Sequence, residues 1–189
     1  MPKVNANTLR AGNIIEIKDR LWSVVGMEIS QPGKGGAYAN ITLRDVRTGN
    51  KDVQRFRTQE SLEKVRLEQD ESQYLFSDGE NYTFMDTTTY DQFEISGDLI
   101  GYPKAFLQDG MMVTIEKYED EALGVQLPDT VIMEVVECEP VVKGQTASSS
   151  YKPGVLENGE RVMIPPHIGA ETRIVIKTED GSYVEKAKD

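Results

Sequence analysis

A single lysine lies at the centre of a glycine-rich segment, Gln31–Ala37. The segments on either side, Leu21–Ser30 and Tyr38–Arg44, are rich in β-branched and aromatic residues, so the pattern predicts a β-hairpin with Lys34 at its tip. The segment is not a phosphate-cradling loop, because glycine rather than Ser or Thr follows the lysine and no helix follows the segment. Lys34 is therefore either a solvated turn lysine or a group that projects into a partner.

Few other residues have the types and spacing that catalysis needs. His167 is the single histidine and lies beside two prolines, which is typical of a loop or packing residue. Cys138 is the single cysteine, so an internal disulfide and a multi-cysteine metal site are excluded. The acidic run Glu119–Glu121 is expected to be a solvated loop, and Ser148–Ser150 lacks the strand-turn-helix context of a serine nucleophile. The sequence favours a binding protein over an enzyme, with neither catalytic residues nor a metal site.

Positive charge is concentrated in the first third of the chain. Residues 1–66 hold 12 of the 21 Lys and Arg residues but only 7 of the 32 Asp and Glu residues, although the whole chain has a net charge of −11. The first third is therefore +5 and the remainder −16, a contrast that predicts contact with nucleic-acid phosphates, unless it reflects chance patchiness. The candidates for phosphate contact, each of which could instead be a solvated surface charge, are Arg10, Arg44, Arg55 and Arg57.

Short segments with strand character recur along the chain and indicate an all-β protein. Besides the two segments that flank Lys34, they are Ile14–Lys18, Asp52–Phe56, Gln73–Phe76, Tyr82–Met85, Met111–Tyr118 and Thr130–Val136. The dipeptides that predict tight turns between them are Asp78-Gly79, Asp109-Gly110, Asn158-Gly159 and Asp180-Gly181. Helix is limited to single turns predicted near Tyr90–Gln92 and Gly97–Ile100.

Two features suggest how the chain divides. The charge changes sign near Glu63–Arg66, and a small polar stretch, Val142–Ser150, has the composition of a linker or long loop. Three compact barrels of roughly sixty residues each would fit this pattern. The sequence contains neither an apolar run long enough to span a bilayer nor a signal-peptide pattern, so a cytoplasmic protein without membrane contact is expected.

Three blocks of the sequence, in order, resemble the bacterial translation elongation factor P family. The blocks are Thr8–Ile15 with Pro32–Ala37, then Tyr74–Gly79 through Tyr82–Asp86 to Tyr90–Gln92, and finally Lys152–Gly159 with Val162–Pro165 and Asp180–Glu185. The resemblance implies an SH3-like, KOW-type N-terminal domain followed by two OB-fold barrels in an elongated, tRNA-like shape. It implies domains at residues 1–65, 66–128 and 129–189, which makes Val142–Ser150 a loop inside the third domain.

The resemblance also implies a function. The family binds the 70S ribosome between the peptidyl and exit sites, beside peptidyl-tRNA and ribosomal RNA, and relieves stalling at consecutive prolines without being an enzyme. Lys34 aligns with the position that many members modify with a β-lysyl group, so a lysine-modifying enzyme is an implied partner. The supporting loop residues are Pro32, Gly33, Gly35 and Gly36. A monomer without a bound cofactor is expected.

The resemblance implies four further candidate RNA contacts in the third domain. Tyr183 falls in the matching motif, and Lys186 stands where many members have arginine, which keeps the charge but loses the planar fork. Gly144 and Thr146 match a loop that members use near the exit-site codon, although Gln145 between them replaces an expected aspartate.

Two alternatives remain open from the sequence. One is a paralogue of elongation factor P with the same fold and a different modification or ribosomal task, which the intact Lys34 frame disfavours. The other is a general single-stranded nucleic-acid binder, which the acidic second and third domains disfavour because such proteins need a basic groove.

Overall fold

The computed structural model describes residues 2–142 and 150–188, and this part of the chain is nearly all β. The all-β prediction is confirmed. The chain forms two compact units. One contains the residues up to Gln69 together with Glu116–Leu123, and the other contains Asp70–Ile115 and the residues from Gly124 onward.

Six strands among the described residues form an N-terminal sheet with the order β1-β6-β2-β3-β4-β5. They are β1 (Lys3–Asn5), β2 (Ile14–Ile17), β3 (Arg20–Ser30), β4 (Tyr38–Asp45), β5 (Lys51–Arg57) and β6 (Ser61–Val65). The pairings are antiparallel, and β3 contains a bulge between Val24 and Gly26. The predicted strands at β2 to β5 are confirmed. Strands β1 and β6 were not predicted.

Two five-stranded sheets follow, with the orders β11-β10-β7-β8-β9 and β14-β13-β12-β15-β16. The strands of the first are β7 (Glu68–Ser77), β8 (Asn81–Asp86), β9 (Gln92–Ser96), β10 (Met112–Tyr118) and β11 (Glu121–Gln126). The strands of the second are β12 (Thr130–Cys138), β13 (Lys152–Leu156), β14 (Arg161–Ile164), β15 (Thr172–Lys177) and β16 (Tyr183–Lys186). Each predicted Asp-Gly or Asn-Gly turn has its glycine at positive φ, between 73° and 103°.

Helical structure in the described residues is limited to α1 (Gly97–Ile100) and two 3₁₀ segments, Ala6–Thr8 and Tyr102–Phe106. The prediction of a helical turn at Gly97–Ile100 is confirmed. The prediction near Tyr90–Gln92 is wrong, because Tyr90 adopts φ +62° in a turn and β9 begins at Gln92. The backbone amide of Tyr90 donates to the carbonyl of Asp86, which closes a hairpin turn instead. No helix in the described part of the chain is long and apolar enough to cross a membrane.

Strand alternation builds the core of the N-terminal sheet. In β4, Ala39, Ile41 and Leu43 are fully buried while the residues between them are half-exposed. These three pack with Ile15 and Trp22 in one core cluster. Burying one Ile or Leu side chain contributes about 1.5–3 kcal/mol, so this row fixes the register of β4 and thereby the position where the β3–β4 loop leaves the sheet.

Candidate functional site

Lys34 lies in the loop 31–37, which joins β3 to β4. The last cross-strand pair of this hairpin is Ser30 with Tyr38, so the ladder ends where the loop begins. Every residue in Gln31–Gly36 is exposed, including Lys34. The predicted hairpin with an exposed lysine in its connecting loop is therefore present.

The loop glycines have open space around them. A methyl group placed on Gly33, Gly35 or Gly36 would meet no other heavy atom within 4 Å. Gly35 adopts φ +117°, a conformation that residues with a side chain rarely adopt. The segment around Lys34 therefore lacks lateral packing in the described structure, and its direction is set by the two strands from which it emerges.

The C-terminal side of the loop is tied to the turn that follows β5. The backbone amide of Thr58 donates to the carbonyl of Ala37 over 3.2 Å. The guanidinium carbon of Arg55 lies 4.0 Å from the centre of the Tyr38 ring, within the range of a cation–π contact. A surface pocket of about 390 Å³ lies here, lined by Gly36, Ala37, Tyr38, Arg57, Thr58 and Gln59.

Arg10 lies close to the same turn. The amide of Asn7 donates to the carbonyl of Thr58 over 3.1 Å. The Arg10 guanidinium donates to the carbonyls of Leu9 (2.8 Å) and Asn7 (3.3 Å), while the residue stays exposed. Arg10 thus stiffens its own segment and adds positive charge near the base of the Lys34 loop.

The other predicted arginines share one face of the N-terminal sheet. Arg55 and Arg57 lie at alternate positions of β5, and Arg44 lies on the neighbouring β4. The ladder places Lys51 directly opposite Arg44, so all four cations lie on the same exposed face. We call Arg44, Lys51, Arg55 and Arg57 the basic face. Such a cluster attracts phosphate groups and raises the rate of encounter with RNA.

Lys51 was missed by the sequence reasoning. The signal was present, because positions 51, 55 and 57 are separated by even numbers and even spacing puts side chains on one side of a strand. The position of Lys51 opposite Arg44 could not be predicted from the sequence, because this position depends on the pairing between β4 and β5.

The C-terminal candidates lie in the second compact unit. Tyr183 is half-buried against the core of the third sheet, with its ring edge-on to Tyr151 at 6.4 Å between centroids. Burial raises the pKa of the Tyr183 hydroxyl above its ordinary value of 10, and the neighbouring Tyr151 and Glu185 add to this. Lys186 is exposed. Tyr183 is thus partly a packing residue, and Lys186 is the more accessible of the two.

Gly144 and Thr146, the two predicted contacts of the polar loop, lie outside the described residues, as does Gln145. They stay predictions from the sequence.

The described residues contain no group of three or more His, Cys, Asp or Glu side chains that could hold a metal ion. His167 is exposed after Pro165–Pro166. Cys138 is half-buried, with its sulfur 3.7 Å from the carbonyl of Ile168. Lys34 and the basic face are exposed cations that can bind anionic groups such as phosphate.

Family models match the chain in three successive stretches. Residues 5–62 match the elongation factor P KOW-like domain, residues 67–125 the elongation factor P OB domain, and residues 131–186 the elongation factor P C-terminal domain. Elongation factor P of Rhodospirillum centenum is 55% identical over 187 residues, which cover 99% of this chain and 100% of the relative. The chain belongs to the elongation factor P family.

Two further family members show that the likeness is not limited to one relative. Elongation factor P of Parvibaculum lavamentivorans is 50% identical over 98% of this chain and 99% of the relative. That of Brucella canis is 48% identical over 98% of this chain and 100% of the relative. The resemblance seen in the three sequence blocks is therefore confirmed over nearly the whole chain.

A solved structure supports the fold. Eukaryotic translation initiation factor 5A from Methanococcus jannaschii aligns with a TM-score of 0.53 and 24% identity, covering 67% of this chain and 92% of that chain. At this identity the likeness concerns the fold alone. Together with the elongation factor P models, it confirms the predicted class of an all-β protein with KOW-like and OB domains.

Proposed function

We propose that this protein is a translation elongation factor that binds the 70S ribosome between the peptidyl and exit sites and stimulates peptide-bond formation at consecutive prolines. The observation that carries the proposal is the exposed Lys34 at the centre of a loop without lateral packing, in a chain that belongs to the elongation factor P family. The chain acts in the cytoplasm as a monomer, with peptidyl-tRNA and ribosomal RNA as its partners.

The shape of the Lys34 loop fits entry into a narrow cleft lined by RNA. Gly33, Gly35 and Gly36 add no side-chain width, and Gly35 permits a backbone turn that other residues resist. The lysine then places a cation and hydrogen-bond donors beside the terminal nucleotides of peptidyl-tRNA. A β-lysyl group added to Lys34 by a dedicated enzyme would extend this reach.

The basic face supplies the second part of the proposed interface. Arg44, Lys51, Arg55 and Arg57 are exposed on the sheet that carries the Lys34 loop. Contacts with phosphate fix the register and orientation of a protein on RNA without reading sequence. We assign these residues, with Arg10, to backbone contacts, and Tyr183, Lys186, Gly144 and Thr146 to contacts made by the C-terminal domain.

Orientation is sufficient to explain stimulation without an acid, base or nucleophile from this protein. Holding two reacting groups in a near-attack geometry lowers a barrier by several kcal/mol. Proline reacts slowly in peptide-bond formation, partly because its ring restricts the geometry of attack. We therefore propose that the factor is not itself an enzyme, and that the ribosome supplies the chemistry while Lys34 helps to hold the tRNA end.

The proposal includes three domains at residues 1–65, 66–128 and 129–189. The matched family stretches, 5–62, 67–125 and 131–186, each fall inside one of them. The compact unit that contains the N-terminal sheet also includes Glu116–Leu123, through an apolar cluster of Leu21, Val65 and Leu123. Residues of the second proposed domain therefore pack with the first.

The test is the rate at which purified ribosomes form a peptide with consecutive prolines. Reactions contain no factor, protein purified from its native cells, its Lys34→Ala variant, or its Lys3→Ala variant, which removes the same charge from an exposed strand position. We expect acceleration by the native protein and by Lys3→Ala, and loss of most acceleration in Lys34→Ala. Absence of acceleration by native protein would refute the proposal. Tight binding to free RNA without ribosomes would then favour a general single-stranded nucleic-acid binder.

A further inference from the structure

The Lys34 loop has little besides its two ends to set its direction. A methyl group on any of its three glycines would meet no other heavy atom within 4 Å, and all residues of Gln31–Gly36 are exposed. At its C-terminal end, Ala37 accepts the hydrogen bond from Thr58, and Tyr38 pairs with Ser30. These two constraints are made by the backbone, so they hold the end of the strand but do not depend on side chains.

Tyr38 adds a side-chain constraint at the same point. It is the first residue of β4, it is half-buried, and the Arg55 guanidinium covers its ring at 4.0 Å. The ladder explains this contact, because Arg55 lies opposite Asn40, the next residue on the same side of β4 as Tyr38. The two side chains are thus diagonal neighbours, close enough for a long side chain to reach an aromatic ring.

Arg55 is therefore in a different position from the other members of the basic face. Arg44 lies opposite another cation, Lys51, and Arg57 lies opposite Tyr38 in the ladder, whereas the guanidinium carbon of Arg55 lies over the Tyr38 ring. A cation–π contact restricts the motion of both the guanidinium and the aromatic ring.

We propose that Arg55 is a positioning residue, which holds Tyr38 and through it the direction of the Lys34 loop. This inference rests on the proposed function. It assigns Arg55 a role that a phosphate contact would not require, since a phosphate contact needs its charge but not the Tyr38 ring. The contact has the strength typical of exposed cation–π pairs, so losing it should lower the ratio of correctly placed to displaced loop by about two- to fivefold.

The test measures the effect of the Tyr38 ring separately from the effect of the Arg55 charge. The variants are Tyr38→Leu, which keeps the charge and removes the ring, Tyr38→Phe, which keeps the ring, Arg55→Met, and the double variant Tyr38→Leu/Arg55→Met. Arg66→Met is the matched control, because Arg66 is an exposed arginine that follows β6, three places from β4 in the sheet order. Thermal unfolding of every variant checks that the fold is retained.

The readout is the rate of diproline peptide formation as a function of factor concentration. We expect Tyr38→Leu and Arg55→Met each to lower the maximal rate at saturating factor measurably, by up to about fivefold. The double variant should be no worse than either single variant, because both remove one contact. Tyr38→Phe and Arg66→Met should keep the wild-type maximal rate. A wild-type maximal rate in Tyr38→Leu would overturn the proposal. Additive losses of maximal rate in the double variant would also overturn it. So would an Arg55→Met variant that needs a higher concentration for half-saturation but keeps the wild-type maximal rate.

A second readout distinguishes this inference from the proposed function. Backbone ¹⁵N relaxation reports the order of the Gly33, Gly35 and Gly36 amides on the fast timescale. We expect lower order parameters in Tyr38→Leu and Arg55→Met, with wild-type values in Tyr38→Phe and Arg66→Met. If the wild-type factor failed to accelerate synthesis, the proposed function would fall while these order parameters still decided the role of Arg55. Unchanged order in both variants would refute that role.

Discussion

At the scale of single residues, Asp45 shows how a charge is kept inside the N-terminal sheet. It lies at the end of β4 and is only 4% exposed. One carboxylate oxygen accepts from the backbone amides of Arg47 (2.8 Å) and Thr48 (2.9 Å), and the other accepts from the Arg20 guanidinium at 2.5 Å. Burial raises the pKa of Asp45, but the hydrogen bonds from Thr48, Arg47 and Arg20 outweigh it and lower the pKa below 3.8.

Replacing Asp45 with Asn should destabilise the protein in a pH-dependent way. The amide oxygen of Asn can still accept from the backbone, but the charged bond with Arg20 is lost, which costs about 1.5–3 kcal/mol of unfolding free energy at neutral pH. Because the folded pKa is lowered, the stabilisation by Asp45 is present above the unfolded pKa of about 3.9 and is lost as pH falls through the folded value. Urea unfolding at pH 7 and pH 3 measures this. An equal difference between wild type and variant at both pH values would contradict the argument.

At the scale of elements, the β15–β16 connection combines a local and a tertiary constraint. Gly181 adopts φ +73° in the turn that the Asp-Gly dipeptide predicts. A Cβ on this glycine would also collide with the hydroxyl of Tyr102 and come within 3.2 Å of the Phe106 ring. Both aromatic residues belong to the 3₁₀ segment Tyr102–Phe106, and Phe106 is buried in the core of the third sheet.

Gly181→Ala should therefore be more destabilising than another glycine-to-alanine change at positive φ. Gly159→Ala is the matched control, because Gly159 has φ +86° but open space around its Cβ position. We expect the control to lower the unfolding free energy by about 1–2 kcal/mol through backbone strain alone. Gly181→Ala should lose about 1–3 kcal/mol more by displacing Tyr102 or Phe106. Chemical denaturation measures both, and equal losses would show that Tyr102 moves away at no cost.

At the scale of the whole molecule, the charge is divided between a basic N-terminal third and an acidic remainder. Of the 21 Lys and Arg residues, 12 lie in residues 1–66, against 7 of the 32 Asp and Glu residues. The four cations of the basic face are all in this third. A distribution of this kind favours binding to RNA through one part of the protein, while the acidic part limits unspecific contact.

Removing one cation from the basic face should weaken the salt dependence of ribosome binding. We expect Lys51→Gln to lower the slope of log affinity against log salt by about 1, because one fewer counterion is released. Lys177→Gln, an exposed change on β15 in the acidic part, is the control and should leave the slope unchanged. Binding to purified ribosomes between low and moderate KCl measures this. A slope unaffected by Lys51→Gln would place this lysine outside the interface.

Features that depend on neighbours along the chain could be predicted from the sequence. The β-branched and aromatic residues of Tyr38–Arg44 predicted β4, the Asp-Gly and Asn-Gly dipeptides predicted turns with positive φ, and the glycines around Lys34 predicted an exposed loop. Each rests on the strand preference of β-branched and aromatic side chains or on the steric freedom of glycine, which are local properties. Local reasoning is wrong at Tyr90, which lies in the turn between β8 and β9 and not in a helical turn.

Contacts between residues that are distant in sequence could be identified only in the folded chain. The pairing of β4 with β5 brings Lys51 to Arg44 and Arg55 to Tyr38, and the packing of the Tyr102–Phe106 segment places Tyr102 over Gly181. These contacts depend on strand register and core packing, which many residues set jointly and no short pattern encodes. Lys34 could be identified as a candidate from the sequence alone, whereas the contact of Arg55 with Tyr38 at the base of its loop could be identified only from the fold.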